Sequence, residues 1–152
     1  MDGIFSIGVH ALVYLNHKQR SLTSEALAEN ICTNPARVRK VMAKLKKAGF
    51  VETREGAAGG YLFRGDAKAL SLDQVAAALE VRFVDVAWRS GDMDMECLVA
   101  SGMADIMDGI YAELNALCYE RLKRLTIAQI DQRIFSQQQT PHTEGGDYEF
   151  FV

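Results

Sequence analysis

Arg37, Arg39, Lys40, Lys44, Lys46 and Lys47 fall within eleven consecutive positions, and no Asp or Glu interrupts the chain between Glu29 and Glu52. Cations at this density, free of counter-charges, suit the neutralisation of a polyanion such as a nucleic-acid backbone. The two arginines add a second capability, because a planar guanidinium can donate two parallel bonds to a guanine edge. The lysines are point charges better matched to phosphate, where contacts supply affinity and register but little sequence information. The plainer alternative is a solvated helix face. Such faces mix both signs, and this one does not, although the chain as a whole carries a net charge of −3.

The remaining reactive side chains are sparse. Cys32, Cys97 and Cys118 form no CxxC pair and are odd in number, so three free thiols in a reducing compartment are expected. Cys97 opens a predicted helix, whose dipole favours a thiolate, while Asp92, Asp94 and Glu96 beside it oppose a further negative charge. Cys97 is therefore the candidate redox switch. Cys118 falls on an apolar stripe and reads as a packing residue, and Cys32 matters only through the helix that follows it. His10, His17 and His142 share no metal-ligand spacing. With no base placed near a nucleophile, no catalytic residues and no metal site are expected, and a thiol enzyme centred on Cys97 is disfavoured.

The cations need a rigid support, and the sequence marks one clearly. Asn34 is a side-chain cap and Pro35 fits the first helical position, where its missing N–H costs nothing. Gly49 suits the left-handed position that ends a helix. Between them Val38, Val41, Met42 and Leu45 recur at helical spacing and predict the core-facing side. Upstream, Ile4, Ile7, Ala11, Leu12, Tyr14 and Leu15 predict a first helix, and Thr23 caps a second, SEALAENI, with Leu27 and Ile31 inward. Downstream, FVETR and YLFRG alternate as strands around the glycine-rich turn EGAAGG. Ser71 caps a short helix, LDQVAAALEV.

Two helices, a tight turn, a basic third helix and a glycine-tipped hairpin are the order of a winged helix-turn-helix. There the third helix enters the major groove and the wing rests on the backbone or minor groove. Asn34, Arg37 and Arg39 are the candidates for base or near-base contact. Lys40, Lys44, Lys46 and Lys47 are assigned to phosphates, with Thr23 and Ser24 at the start of the second helix. Arg54 and Gly59 are the candidates in the wing.

A second long helix is predicted from Leu98 to about Leu125. Its stripe of Met103, Ile106, Met107, Ile110, Leu114, Leu117, Cys118 and Leu122 outruns a small core, so part of it needs another partner, and a second copy is the economical one. Ile106, Ile110, Leu114 and Leu117 are the candidate interface. Thr126 caps a last helix, IAQIDQRIF. The expected organisation is a winged helix-turn-helix over 1–80, a connector over 81–97, dimerisation helices over 98–135 and a mobile polar tail over 136–152. The fold class is mainly α with a small β-hairpin.

Charge follows this division. Residues 1–66 hold ten Lys/Arg against six Asp/Glu, while residues 67–152 hold seven against fourteen. A basic front half points to a polyanion partner for that half alone. No apolar run approaches the roughly 18 residues of a membrane span and the N-terminus has no basic leader, so a cytoplasmic protein without a membrane partner is expected.

The blocks FSIGVHALVYL, TNPARVRKVMAKLKKAGFVETREGAAGGYLFRGDAKALSLDQVAAALE and CLVASGMADIMDGIYAELNALCYERLKRLTIAQI resemble the Rrf-two family of bacterial repressors, the IscR/NsrR/CymR type, over about residues 4–131. The resemblance implies a DNA-binding transcriptional regulator. It further implies a homodimer held by the long C-terminal helix, on a palindromic operator with half-sites about one helical turn apart. Two departures stand out. Many relatives read RGPGGGY in the wing where this chain reads REGAAGGY, with Glu55 near the tip and one glycine fewer. Cluster-binding relatives carry three neighbouring cysteines before the dimerisation helix, because a cluster needs converging thiolates. This chain has Cys97 alone there, so no iron–sulfur cluster and no other cofactor are expected. The rival reading keeps the fold but turns the basic face toward an acidic protein.

Overall fold

The computed structural model describes residues 3–137. Helices α1 (Ile4–Lys18), α2 (Ser24–Ile31) and α3 (Pro35–Lys47) are followed by strands β1 (Val51–Arg54) and β2 (Gly60–Phe63). Helices α4 (Leu72–Ala78), α5 (Leu98–Leu122) and α6 (Ile127–Gln137) complete the described order. The architecture is mainly helical with a two-stranded antiparallel hairpin.

The core is built from the predicted stripes. Leu12 and Leu15 of α1, Leu27 of α2 and Val38, Met42 and Leu45 of α3 are fully buried, joined by Val75 and Leu79 at α4. Caps fix where each helix starts. Thr23 accepts from the Ala26 N–H at 3.1 Å, and Asn34 accepts from the Arg37 N–H at 2.9 Å with Pro35 just inside the helix. Helix α3 ends at Ala48, and Gly49 takes φ +83°, the left-handed conformation that lets the chain turn into β1.

The hairpin pairs Val51 with Phe63 and Arg54 with Gly60. The turn end of β2 is held to the segment before α2, because Leu22 and Tyr61 exchange both backbone hydrogen bonds, at 2.9 and 2.8 Å. Gly60 permits that approach: with φ +134°, any Cβ there would lie 2.4 Å from the Leu22 carbonyl oxygen. The wing therefore stands beside the α2 N-terminus.

Residues 82–97 contain no helix or strand. The start of this segment is pinned to α5, where the Asn115 side chain accepts from the Phe83 and Val84 N–H groups and donates to the Val84 carbonyl. Tyr119 donates to the Val81 carbonyl at 2.9 Å, and Phe83 packs edge-on against both Phe5 and Tyr119.

The single stripe read along α5 divides in two. Tyr119 and Leu122 pack against the chain's own core, Ala104, Met107 and Tyr111 face Val86 and Trp88 of the connector, and Cys118 is half-buried. Ile106, Ile110, Leu114 and Leu117 stay 64, 42, 41 and 65% exposed. Periodicity marks both faces as apolar without saying which neighbour each one meets.

Helix α6 returns to the first helix rather than extending α5. Ile127 is fully buried, Asp131 accepts from Asn16 at 3.0 Å and faces His17, and the His17 ring stacks on Phe135. Thr126 caps α6 by accepting from the Gln129 N–H, while the Gln129 side chain accepts from the Thr126 N–H. Ser136 and Gln137 belong to this helix. The rest of the expected mobile tail, with His142, lies outside the described residues.

Candidate nucleic-acid interface

Helix α3 turns about 100° per residue, so burial of Val38, Val41, Met42 and Leu45 fixes where every other side chain points. Ala36, Lys40, Ala43 and Lys47 are exposed on the opposite side. Arg39 and Lys46 occupy the flank toward α2 and the wing, and Arg37 and Lys44 the flank toward α1 and α4.

The cations accordingly have different tasks. Lys44 reaches the end of α4, where its ammonium lies 2.6 Å from the Glu80 carboxylate and 3.4 Å from the Leu79 carbonyl. That ammonium, donating a hydrogen bond, holds the Glu80 carboxyl below its usual range. Lys44, expected at phosphate, has an intramolecular partner in Glu80. Lys46 donates to the Thr53 hydroxyl at 2.8 Å and ties the helix to β1. Arg39 donates to Ser24 Oγ at 3.1 Å and lies 3.4 Å from a Glu25 carboxylate oxygen. Arg37 extends toward the start of α1, its guanidinium 3.6 Å from where a Cβ on Gly3 would sit. Lys40 and Lys47 project outward.

The structure brings Thr23, Ser24, Arg39, Lys46 and the hairpin to one side of the molecule, through the Leu22–Tyr61 bridge and the Arg39 and Lys46 contacts. Arg54 is exposed on the wing, 3.7 Å from Glu52, which also faces Arg64 at 3.3 Å. Gly59 lies inside the turn, its N–H donating to the Gly56 carbonyl at 2.9 Å, so that group is already engaged within the hairpin. The Asn34 side-chain oxygen is likewise engaged as the helix cap.

Sequence reasoning missed two kinds of residue. Ala36 and Ala43, seven apart and opposite the apolar stripe, put short side chains beside Lys40 and Lys47 on the outer face. Their spacing was a usable signal. Glu25 was missed because its link to Arg39 depends on how α2 crosses α3.

The cysteines do not converge. Cys32 is exposed at the C-terminal end of α2, Cys97 is exposed at the N-terminus of α5, and Cys118 is half-buried within α5. Twenty-one residues along one helix put Cys97 and Cys118 roughly 31 Å apart. Among the described residues no three His, Cys, Asp or Glu side chains are grouped to hold a metal ion. At Cys97 the Ala100 and Val99 N–H groups hold the thiol below its ordinary value. Among the described residues no helix is long and apolar enough to cross a membrane.

No curated protein matches the sequence. The fold is similar to that of a candidate transcriptional regulator from Lactobacillus plantarum, with TM-score 0.76 and 18% identity over 91% of this chain and 97% of that one. It is similar to T. potens IscR, with TM-score 0.67 and 16% identity over 94 and 93% of the two chains. It is similar also to CymR, the global cysteine regulator of B. subtilis, with TM-score 0.63 and 17% identity over 88 and 96%. The Rrf2 family model, described as an iron-dependent transcriptional regulator, matches residues 2–133. With that match spanning the winged helix-turn-helix, the connector and most of the two C-terminal helices, the chain belongs to the Rrf2 family of transcriptional regulators.

Proposed function

We propose that this protein is a homodimeric repressor that reads a palindromic DNA operator with helix α3 and carries no iron–sulfur cluster. The observation that carries the reading is the outer face of α3. It is cationic, has short side chains at Ala36 and Ala43, and is flanked on one side by the α2 N-terminus and the wing. Arg39 and Arg37 are the base-reading candidates, Lys40, Lys46 and Lys47 the phosphate contacts, and the Thr23 hydroxyl and Ser24 N–H additional phosphate donors. The exposed apolar face of α5 supports pairing of two chains, which would place two α3 helices on half-sites about 34 Å apart.

The family description includes iron, and the donor set of this chain does not fit it. Three thiols spread over α2 and both parts of α5 cannot meet at one centre, and no step of the mechanism runs through iron. The thiol of Cys97 is the side chain suited to modulation by a peroxide-type oxidant, being exposed and biased toward the thiolate.

The test is selection of binding sites from a randomised duplex pool, followed by fluorescence anisotropy across a salt series. A palindrome should emerge, and log affinity should fall linearly with log salt, with a slope of about −0.9 per phosphate neutralised. A protein that ignores duplex DNA at low ionic strength overturns the reading.

A further inference from the structure

Glu25 breaks the charge pattern of the basic face. It sits in the first turn of α2, 68% exposed, beside Thr23 and Ser24. A carboxylate placed there repels phosphate, yet the structure engages it closely. One carboxylate oxygen lies 3.4 Å from Arg39 Nη1, and the other accepts the Ser24 hydroxyl at 3.1 Å. Ser24 Oγ in turn accepts from Arg39 Nη1 at 3.1 Å. Two side chains of α2 thus close a ring around one guanidinium nitrogen of α3.

Exposed ion pairs contribute little to stability, so the consequence of this ring lies in orientation and charge. A guanidinium has five N–H donors in a fixed fork, and the ring engages Nη1, leaving the Nη2 and Nε donors for DNA. An arginine without such restraint follows its charge to the nearest phosphate. With a carboxylate beside it, the attraction to phosphate is reduced while the geometry needed for a paired contact to guanine is held. The carboxyl is held below its usual range by a backbone N–H, Ser24 and Arg39, so it stays ionised at neutral pH.

We propose that Glu25 is a positioning residue that sets base specificity, holding the Arg39 guanidinium for a guanine edge and away from capture by phosphate. The inference rests on the DNA-binding reading above and deepens it.

The experiment selects sites from one randomised duplex pool with the wild-type protein and with Glu25→Gln, Ser24→Ala, Arg39→Ala and Glu25→Gln/Arg39→Ala. Affinities are then measured on the wild-type-selected duplex and on a scrambled one. Arg39→Ala should erase one guanine column per half-site, and Glu25→Gln and Ser24→Ala should weaken that same column. Glu25→Gln should hold or raise affinity for scrambled DNA, with a steeper salt dependence, while its selected-to-scrambled ratio falls about tenfold. The double variant should lose no more specificity than Arg39→Ala alone. A Glu25→Gln motif identical to wild type, with both duplexes bound tighter by one factor, overturns the proposal and leaves a merely repulsive carboxylate. A double variant that loses further columns also overturns it, since Glu25 would then act apart from Arg39. Failure of the wild-type protein to enrich any sequence removes the DNA-binding reading itself.

Discussion

Replacing Ile110 and Leu114 with glutamate tests the pairing of two chains directly. In the single chain Ile106, Ile110, Leu114 and Leu117 are 64, 42, 41 and 65% exposed, which is the surface of about two whole aliphatic side chains. Complete burial of such a side chain is worth roughly 1.5–3 kcal/mol. A symmetric interface that covers these four positions on both chains therefore gains roughly 6–13 kcal/mol, before the cost of association is subtracted. Ile110 and Leu114 hold about two fifths of that surface. Their loss removes roughly 2.5–5 kcal/mol per dimer, about a hundredfold to several thousandfold in dissociation constant. The introduced carboxylates deepen the loss, since each would be buried without a partner and opposite its own copy. Sedimentation equilibrium at micromolar concentration should show a dimer for wild type and a monomer for the double variant. Circular dichroism should show the head still folded, because neither residue contributes to the buried core. A variant that remains dimeric at low micromolar concentration refutes this use of the exposed face.

Two further outcomes follow from individual side chains. The rate of Cys97 alkylation by iodoacetamide, followed by peptide mass spectrometry, should rise with pH through a lower midpoint in the folded protein than in denaturant, because the α5 N–H groups stabilise the thiolate only when the helix is formed; a folded midpoint at or above the denatured one refutes the assignment. Lys40→Ala should flatten the salt dependence of DNA binding by about one phosphate per chain, whereas Lys44→Ala should leave it unchanged because Glu80 already holds that ammonium. Equal slopes for the two variants would show that the division of α3 into outer face and flank is mistaken.

Local chemistry made much of this fold legible in the sequence. Asn34 and Pro35 start α3, Gly49 ends it, and the four apolar residues between them are the four it buries. Each of those signals acts within one helix, so the chain order contains the whole cause. What the sequence hid depends on neighbours brought in from elsewhere. Helical phase already separates Lys40 on the outer face from Lys44 on a flank, but only the fold shows that Glu80, at the end of α4, stands opposite Lys44. Glu25 and Arg39 are fourteen residues apart, and their pairing follows from the crossing of two helices. The α5 stripe read as one surface because spacing reports apolarity, while the division into inward and outward faces is set by the segment pinned at Asn115 and by Tyr119.

Those same contacts decide how a signal at α5 could reach the DNA face. Helix α5 is joined to the winged helix-turn-helix, the head of the molecule, at its middle and just past its C-terminal end. Phe83 and Val84 are bonded to Asn115 near its middle, and beyond its last turn the Leu125 carbonyl accepts from the Leu72 N–H, at the start of α4. Helix α6 then closes the circuit on α1 through Ile127 and Asp131. A head clamped this way cannot swivel freely on α5, so the angle at which two α5 helices cross would pass directly into the separation of the two α3 helices. Cys97 stands apart from these contacts, at the N-terminus of α5, with the exposed Leu98 and Val99 next to it and the Asp92 N–H donating to the Ala100 carbonyl of the same turn. Oxidation there adds polar bulk beside the outward face of α5 and leaves the head's own core untouched. In the proposed dimer a modification at this position would act on the geometry between the two heads, and the predicted readout is a changed tolerance of half-site spacing with each half-site motif preserved.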